Sequence, residues 1–140
     1  MDPQFTDLKA LDIWRRALVS SVRLEAPDLS ARQMALLLSV YLPPPPHMVR
    51  GLAQSLKVSK PAITRAVNLL SELSLARRKT DEADRRSVFI QRTVKGSMFL
   101  REFGELIVSA ANGLRPVTNL EQGSPLRRGG SPGRPVAGSG

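Results

Sequence analysis

The chain contains no cysteine, and histidine occurs once, as His47. The first absence excludes disulfides, thiolate metal sites and thiol redox sensing. The second leaves no imidazole cluster to hold zinc or haem. Long apolar runs are also missing: the longest, "MALLLSVYL", is too short to cross a bilayer. The opening "MDPQFTDLKA" carries acids and no apolar core, so it does not read as a signal peptide. A soluble protein in a reducing, cytoplasmic compartment is expected. Enzymatic signatures are lacking as well. There are no paired carboxylates, no nucleophile–base pair and no metal cluster. Ser55, Ser59 and Ser71 have no histidine at a plausible helical spacing. Neither a catalytic site nor a cofactor is expected.

What is present is positive charge. With 21 basic and 12 acidic residues the formal net charge is +9, which favours an anionic partner, nucleic acid first and an anionic membrane second. The excess is local. Residues 1–46 are neutral, residues 47–95 carry +7 and residues 96–140 carry +2. A length of 140 residues suits one compact domain, and an apolar fraction of 41% can fill its core.

The first segment reads as a helix. Leu11, Trp14, Leu18 and Val22 recur at helical spacing, and Ala10, Ile13, Ala17 and Leu24 widen the stripe. So broad a stripe fits either a helix packed on two sides, against its own domain and a partner chain, or an ordinary core helix. "APDL" breaks it. Ser30 and Gln33 then form the S-x-x-Q capping box of a second helix, with Leu29 and Met34 placed as a hydrophobic staple. Prolines 43–46 end that helix near Leu42, since they lack the amide donor and lock φ. They read as a stiff connector or as a polyproline recognition site.

Residues 49–73 hold two helices with little between them, "VRGLAQSL" and "SKPAITRAVNLLSEL". Ser59 caps the second, and Pro61 sits in its first turn, where proline is tolerated. Ile63, Val67, Leu70 and Leu73 form the buried face. Lys60, Thr64 and Asn68 lie along another, with Arg65 beside them. Two short helices joined by a tight turn, the second opening on polar and basic residues, are the helix-turn-helix pattern. "LARRKT" and "SVFIQRT" follow as two strands around a charged tip. Thr93 can cap a last helix with an apolar stripe of Met98, Phe99, Phe103, Leu106, Ile107 and Ala110. From Leu114 onward the chain is rich in Pro, Gly, Ser and Arg and is expected to be disordered.

The hairpin tip, "DEADRRSV", contains four letters that also mark one class of ATP-driven helicases. An ATP site needs a G-x-x-x-x-G-K-[ST] loop between strand and helix, and none exists here. A basic hairpin beside a helix-turn-helix is instead a wing. Its arginines, Arg85 and Arg86, can enter the narrow minor groove, where the negative potential is strongest. Ordering an exposed arginine costs about 2 kcal/mol of rotamer entropy. Asp84, two residues before Arg86, can hold the guanidinium in place.

The stretch from "HMVRGLAQSLKVSKPAITRAV" to "DEADRRSVFIQRTVKG", residues 47–96, resembles the winged-helix core of the multiple-antibiotic-resistance-regulator (MarR) family. The "SKPAITR" helix start and the "D-x-x-D-R-R-S-V" wing carry the resemblance together. It implies a mainly α fold with a small β-hairpin wing (α+β), a winged helix-turn-helix flanked by dimerisation helices at 5–24 and 93–113. The domain would be residues 1–113, followed by the tail 114–140. It implies a dimeric, sequence-specific transcription regulator bound to double-stranded DNA at an inverted repeat, in a bacterial or archaeal cytoplasm. Ser59, Lys60, Thr64, Arg65 and Asn68 would serve the major groove. Asp84, Arg85 and Arg86 would serve the minor groove. Family members also bind small aromatic acids between the dimer helices and the DNA-binding domain, which makes Trp14, Tyr41 and His47 candidate pocket residues. The alternative is that Trp14 and Tyr41 are core aromatics and His47 is an exposed turn residue. The competing function is an architectural winged-helix protein with little sequence preference.

Two positions depart from the family pattern. Met48 stands where threonine often caps the first helix of the motif, a loss of about 1 kcal/mol. Ser74 stands where glycine usually makes a left-handed turn, at a cost of about 1–2 kcal/mol.

Overall fold

Ser30 does what its spacing predicts. Its hydroxyl accepts the Gln33 amide at 3.1 Å while the Gln33 side chain accepts the Ser30 amide at 2.8 Å. In a computed structural model that describes residues 3–113, this box opens the second of five helices. The order is α1 (Pro3–Arg23), α2 (Ala31–Tyr41), α3 (Val49–Leu56), α4 (Lys60–Glu72), β1 (Ala76–Thr80), β2 (Val88–Arg92) and α5 (Val94–Gly113). The described residues are mainly helical, with one antiparallel hairpin among them. The tail expected to be disordered lies outside the described residues. None of the described helices is long and apolar enough to cross a membrane.

The described chain falls into two units, residues 27–102 and residues 3–26 with 103–113. In the first, Leu36, Leu37 and Val40 of α2, Leu52 of α3, Ile63, Val67 and Leu70 of α4, Leu75 and Ile90 form one buried cluster. Burying each such side chain contributes about 1.5–3 kcal/mol. The helical faces alternate as their spacing requires, so the residues left outside on α4 are Lys60, Pro61, Arg65, Asn68 and Glu72, with Thr64 half-buried.

Three of the described helices end on a non-glycine residue in the left-handed region: Glu25 (φ 59°), Lys57 (φ 56°) and Ser74 (φ 63°). After α4 the Leu75 amide reaches back to the Leu70 carbonyl at 2.8 Å, the closing bond of a Schellman turn. The bonds are made, but each turn carries the strain that glycine would avoid.

The hairpin register pairs Arg78 with Ile90 and Thr80 with Val88. Met48, which provides no side-chain cap to α3, has a different task. It bridges to Phe89, and the adjacent His47 carbonyl accepts the Ile90 amide at 2.8 Å. The residues before α3 thus extend the hairpin on its β2 side. At the other end of β2, Arg92 donates to the Val40 and Pro43 carbonyls at 2.9 and 2.7 Å and closes the C-terminus of α2. The proline run is exposed and includes a cis Pro45–Pro46 bond.

In the other unit Ala17, Ser20, Phe103 and Ala110 are buried, and Trp14 meets Phe103 edge-on with ring centroids 5.7 Å apart. Leu11, Trp14, Leu18 and Val22, the stripe of α1, are 63%, 44%, 41% and 74% exposed. Asp12 bonds Arg16 and Arg15, both at 2.8 Å. The hydrogen bond from Arg16, then that from Arg15, holds its carboxyl below the ordinary carboxylate range.

Candidate nucleic-acid interface

Ser59 spends its hydroxyl as an N-cap, accepting the Ala62 amide at 3.3 Å. That fixes the start of α4 and so the direction of Lys60 and Thr64. Both line a concavity of about 170 Å³ between α4 and the hairpin. Its other walls include Arg50 from α3, Arg78 from β1, and Arg86, Ser87 and Val88 from the wing, over an apolar floor of Met48, Val49 and Val67. Four cations surround it, and no carboxylate lines it. Arg65 faces elsewhere. It lines a shallow hollow on the α2 side of α4 with Ser30, Ala31, Arg32 and Gln33. The candidate residues therefore divide along α4: Lys60 and Thr64 toward the hairpin, Arg65 toward the N-terminus of α2.

Asn68 also belongs to the wing side. Its carboxamide oxygen accepts a 2.8 Å bond from Arg78. The sequence reading did not single out Arg78 or Arg50. Each became visible only when the hairpin folded back beside α3 and α4.

The wing tip is organised by its two aspartates. Asp81 accepts the Ala83 amide at 3.0 Å, and Asp84 accepts the Arg86 amide and the Ser87 hydroxyl, both at 3.1 Å. The Ser87 amide returns to the Asp84 carbonyl at 2.8 Å. These are side-chain turns that stand in for backbone turns. The guanidinium of Arg86 is farther off, with Nε 3.7 Å from Asp84 Oδ1, and its side chain is 91% exposed. Asp84 thus shapes the loop that presents Arg86 more than it grips the guanidinium. Arg85 is exposed at the same tip.

The remaining candidates are dispersed. Tyr41 uses its hydroxyl within the core unit: it donates to the Leu75 carbonyl at 2.8 Å, with the Thr93 carbonyl at 3.2 Å, and accepts the Thr93 amide at 2.8 Å. His47 is half-buried, with Nε2 3.1 Å from the Pro43 carbonyl. Trp14 belongs to the other unit. Among the described residues no group of histidines and carboxylates could hold a metal ion.

A tight helical pair, an exposed polar face on the second helix and a basic hairpin beside it define a winged helix-turn-helix protein. Residues 28–87 match the family model described as MarR family. A variant of S. aureus MepR bound to an oligodeoxyribonucleotide is similar in fold, with a TM-score of 0.67 at 16% identity over 86% of this chain and 85% of that one. The transcriptional regulator Tm0710 from Thermotoga maritima gives a TM-score of 0.57 at 20% identity, over 84% and 82% of the two chains. A variant of Lactococcus lactis ZitR is 26% identical with a TM-score of 0.50, over 56% of this chain. This chain spans only 52% of the ZitR chain it matches. No curated protein matches the sequence.

Proposed function

We propose that the protein is a DNA-binding transcription regulator, dimeric and sequence-specific, with α4 in the major groove and the wing arginine Arg86 in the minor groove. The cationic concavity between α4 and the wing carries this reading. Cations with no acid among them suit a polyanion, and the exposed face of α4 beside them offers side chains to base edges. The family match and the DNA-bound relative support it. Selection of bound sites from random DNA, with and without added salt, tests it. Enrichment of a two-fold symmetric sequence is expected. Retention of unselected DNA with no enriched sequence would instead make this an architectural DNA-binding protein.

The exposed stripe of α1 supports a homodimer. A row of Leu11, Trp14, Leu18 and Val22 in water is costly, and burial against a second copy removes that cost. The dimer is expected through residues 8–24 and 95–112, on half-sites about one helical turn apart. Light scattering at micromolar concentration checks it; a monomer protecting a single half-site defeats it.

The wing supplies a test of sign. A charge count alone has Asp84→Ala tightening DNA binding, since one repulsion is lost. The turn geometry gives the opposite, because the substitution releases the bonds that shape the tip. Asp84→Ala and Arg86→Ala are each expected to weaken binding by about 1 kcal/mol, and the double variant to be little worse than Arg86→Ala. Tighter binding by a folded Asp84→Ala variant would reduce the tip to a solvated turn.

A further inference from the structure

The Arg78–Asn68 bond has no part in the fold's core. Both residues are exposed, on different elements, ten positions apart in sequence. The hairpin register explains how they meet. Arg78 pairs with Ile90, which is buried, so Arg78 lies on the hairpin face turned toward α4. There it lines the concavity with Arg50, Lys60, Thr64 and Arg86. A guanidinium has donors and no acceptor, so the Asn68 atom facing it is the carboxamide oxygen. One donor is used in that bond, and others remain for an anion in the concavity.

We propose that Arg78 is a further DNA-binding residue, which takes a backbone phosphate beside α4, and that Asn68 is a positioning residue that acts through it. The proposal rests on the DNA-binding reading above. A free arginine loses side-chain freedom when it binds, and one already tied to Asn68 loses less. An asparagine is suited to this task on a DNA-facing surface. An aspartate would hold Arg78 as well but would cancel its charge where phosphate must approach. Asn68 holds it and leaves the charge whole. Its position on the outer face of α4 suggests a base-reading asparagine, and the bond to Arg78 assigns it the other role.

The test is fluorescence anisotropy with the full chain on two duplexes of equal length, one recovered by selection from random sequence and one of mixed sequence, over a range of salt. Arg78→Gln is expected to weaken binding to both by about tenfold and to lower the salt slope by about one. Arg78→Lys keeps the charge without the planar fork, so it keeps the slope and recovers part of the affinity. Asn68→Ala is expected to weaken both duplexes by about threefold, and the double variant to match Arg78→Gln alone. The proposal is overturned if Arg78→Gln changes neither duplex. It is equally overturned if Asn68→Ala weakens only the selected duplex and does so by the same factor with Arg78 absent, the mark of a base reader. Should Arg78→Gln unfold, Arg78→Lys with Asn68→Ala completes the same cycle. Wild-type protein that binds neither duplex would remove the DNA-binding reading itself, an outcome distinct from wild-type binding with Arg78→Gln unchanged.

Discussion

Replacement of Gly96 by alanine is expected to lower the unfolding free energy by about 3 kcal/mol, toward the upper end for overpacking a core. A Cβ at position 96 would run into the Tyr41 hydroxyl and the Leu75 carbonyl oxygen. Neither atom is free to retreat. The Tyr41 hydroxyl donates to that same carbonyl at 2.8 Å and accepts the Thr93 amide at 2.8 Å. The Leu75 oxygen is backbone, in the turn that follows α4. Gly96 is itself fixed, because its amide donates to the Thr93 hydroxyl at 2.9 Å in the cap of α5. Urea unfolding measures the effect as a lower midpoint at unchanged slope. Tyr41→Phe in the same chain removes one of the two colliding atoms, so the double variant is expected to lose less than the two single losses combined. A Gly96→Ala variant within 0.5 kcal/mol of wild type, roughly the range of ordinary surface changes, would show that α5 starts farther from Tyr41.

The second large effect concerns DNA. Arg65→Ala is expected to cost about 1–3 kcal/mol at the selected site while leaving binding to random DNA mostly intact. Arg65 has the reach for a guanine edge from the middle of α4. Its surroundings also define the opposite outcome. The hollow it lines includes Arg32 and the first turn of α2, a place where phosphate is welcome. Equal losses on selected and random DNA would therefore assign Arg65 to the backbone and leave base reading to Thr64 and its neighbours. Titration of both duplexes with one variant separates the two.

What the sequence disclosed follows from how far its signals reach. The capping box at Ser30, the cap at Ser59 and the end of α2 at the prolines depend on residues within four positions of one another, and all are present in the structure. Ser74 in the left-handed region is local in the same sense. The Tyr41 contacts bridge 34 and 52 positions and the Arg78–Asn68 bond bridges ten. No spacing rule joins such residues, because the hairpin must fold back before they meet. Met48 shows a subtler gap. As a helix cap it reads only as a loss, yet its backbone is also the strand-like partner of Phe89. Asp84 was legible as a partner for the wing, but adjacency suggests the guanidinium, whereas the closer bonds go to a backbone amide and a hydroxyl. A turn only a few residues long places those donors nearer than the end of a long side chain.

One phenolic oxygen, that of Tyr41 at the end of α2, is bonded both to the turn after α4 and to the junction of β2 with α5. In mechanical terms it is a pin through three parts of the fold. A lever attached to the start of α5 cannot tilt the first turn of that helix while leaving the others still: the end of β2 and the turn after α4 are fastened to the same point. Whatever bears on the start of α5 is delivered to α4 and the hairpin together.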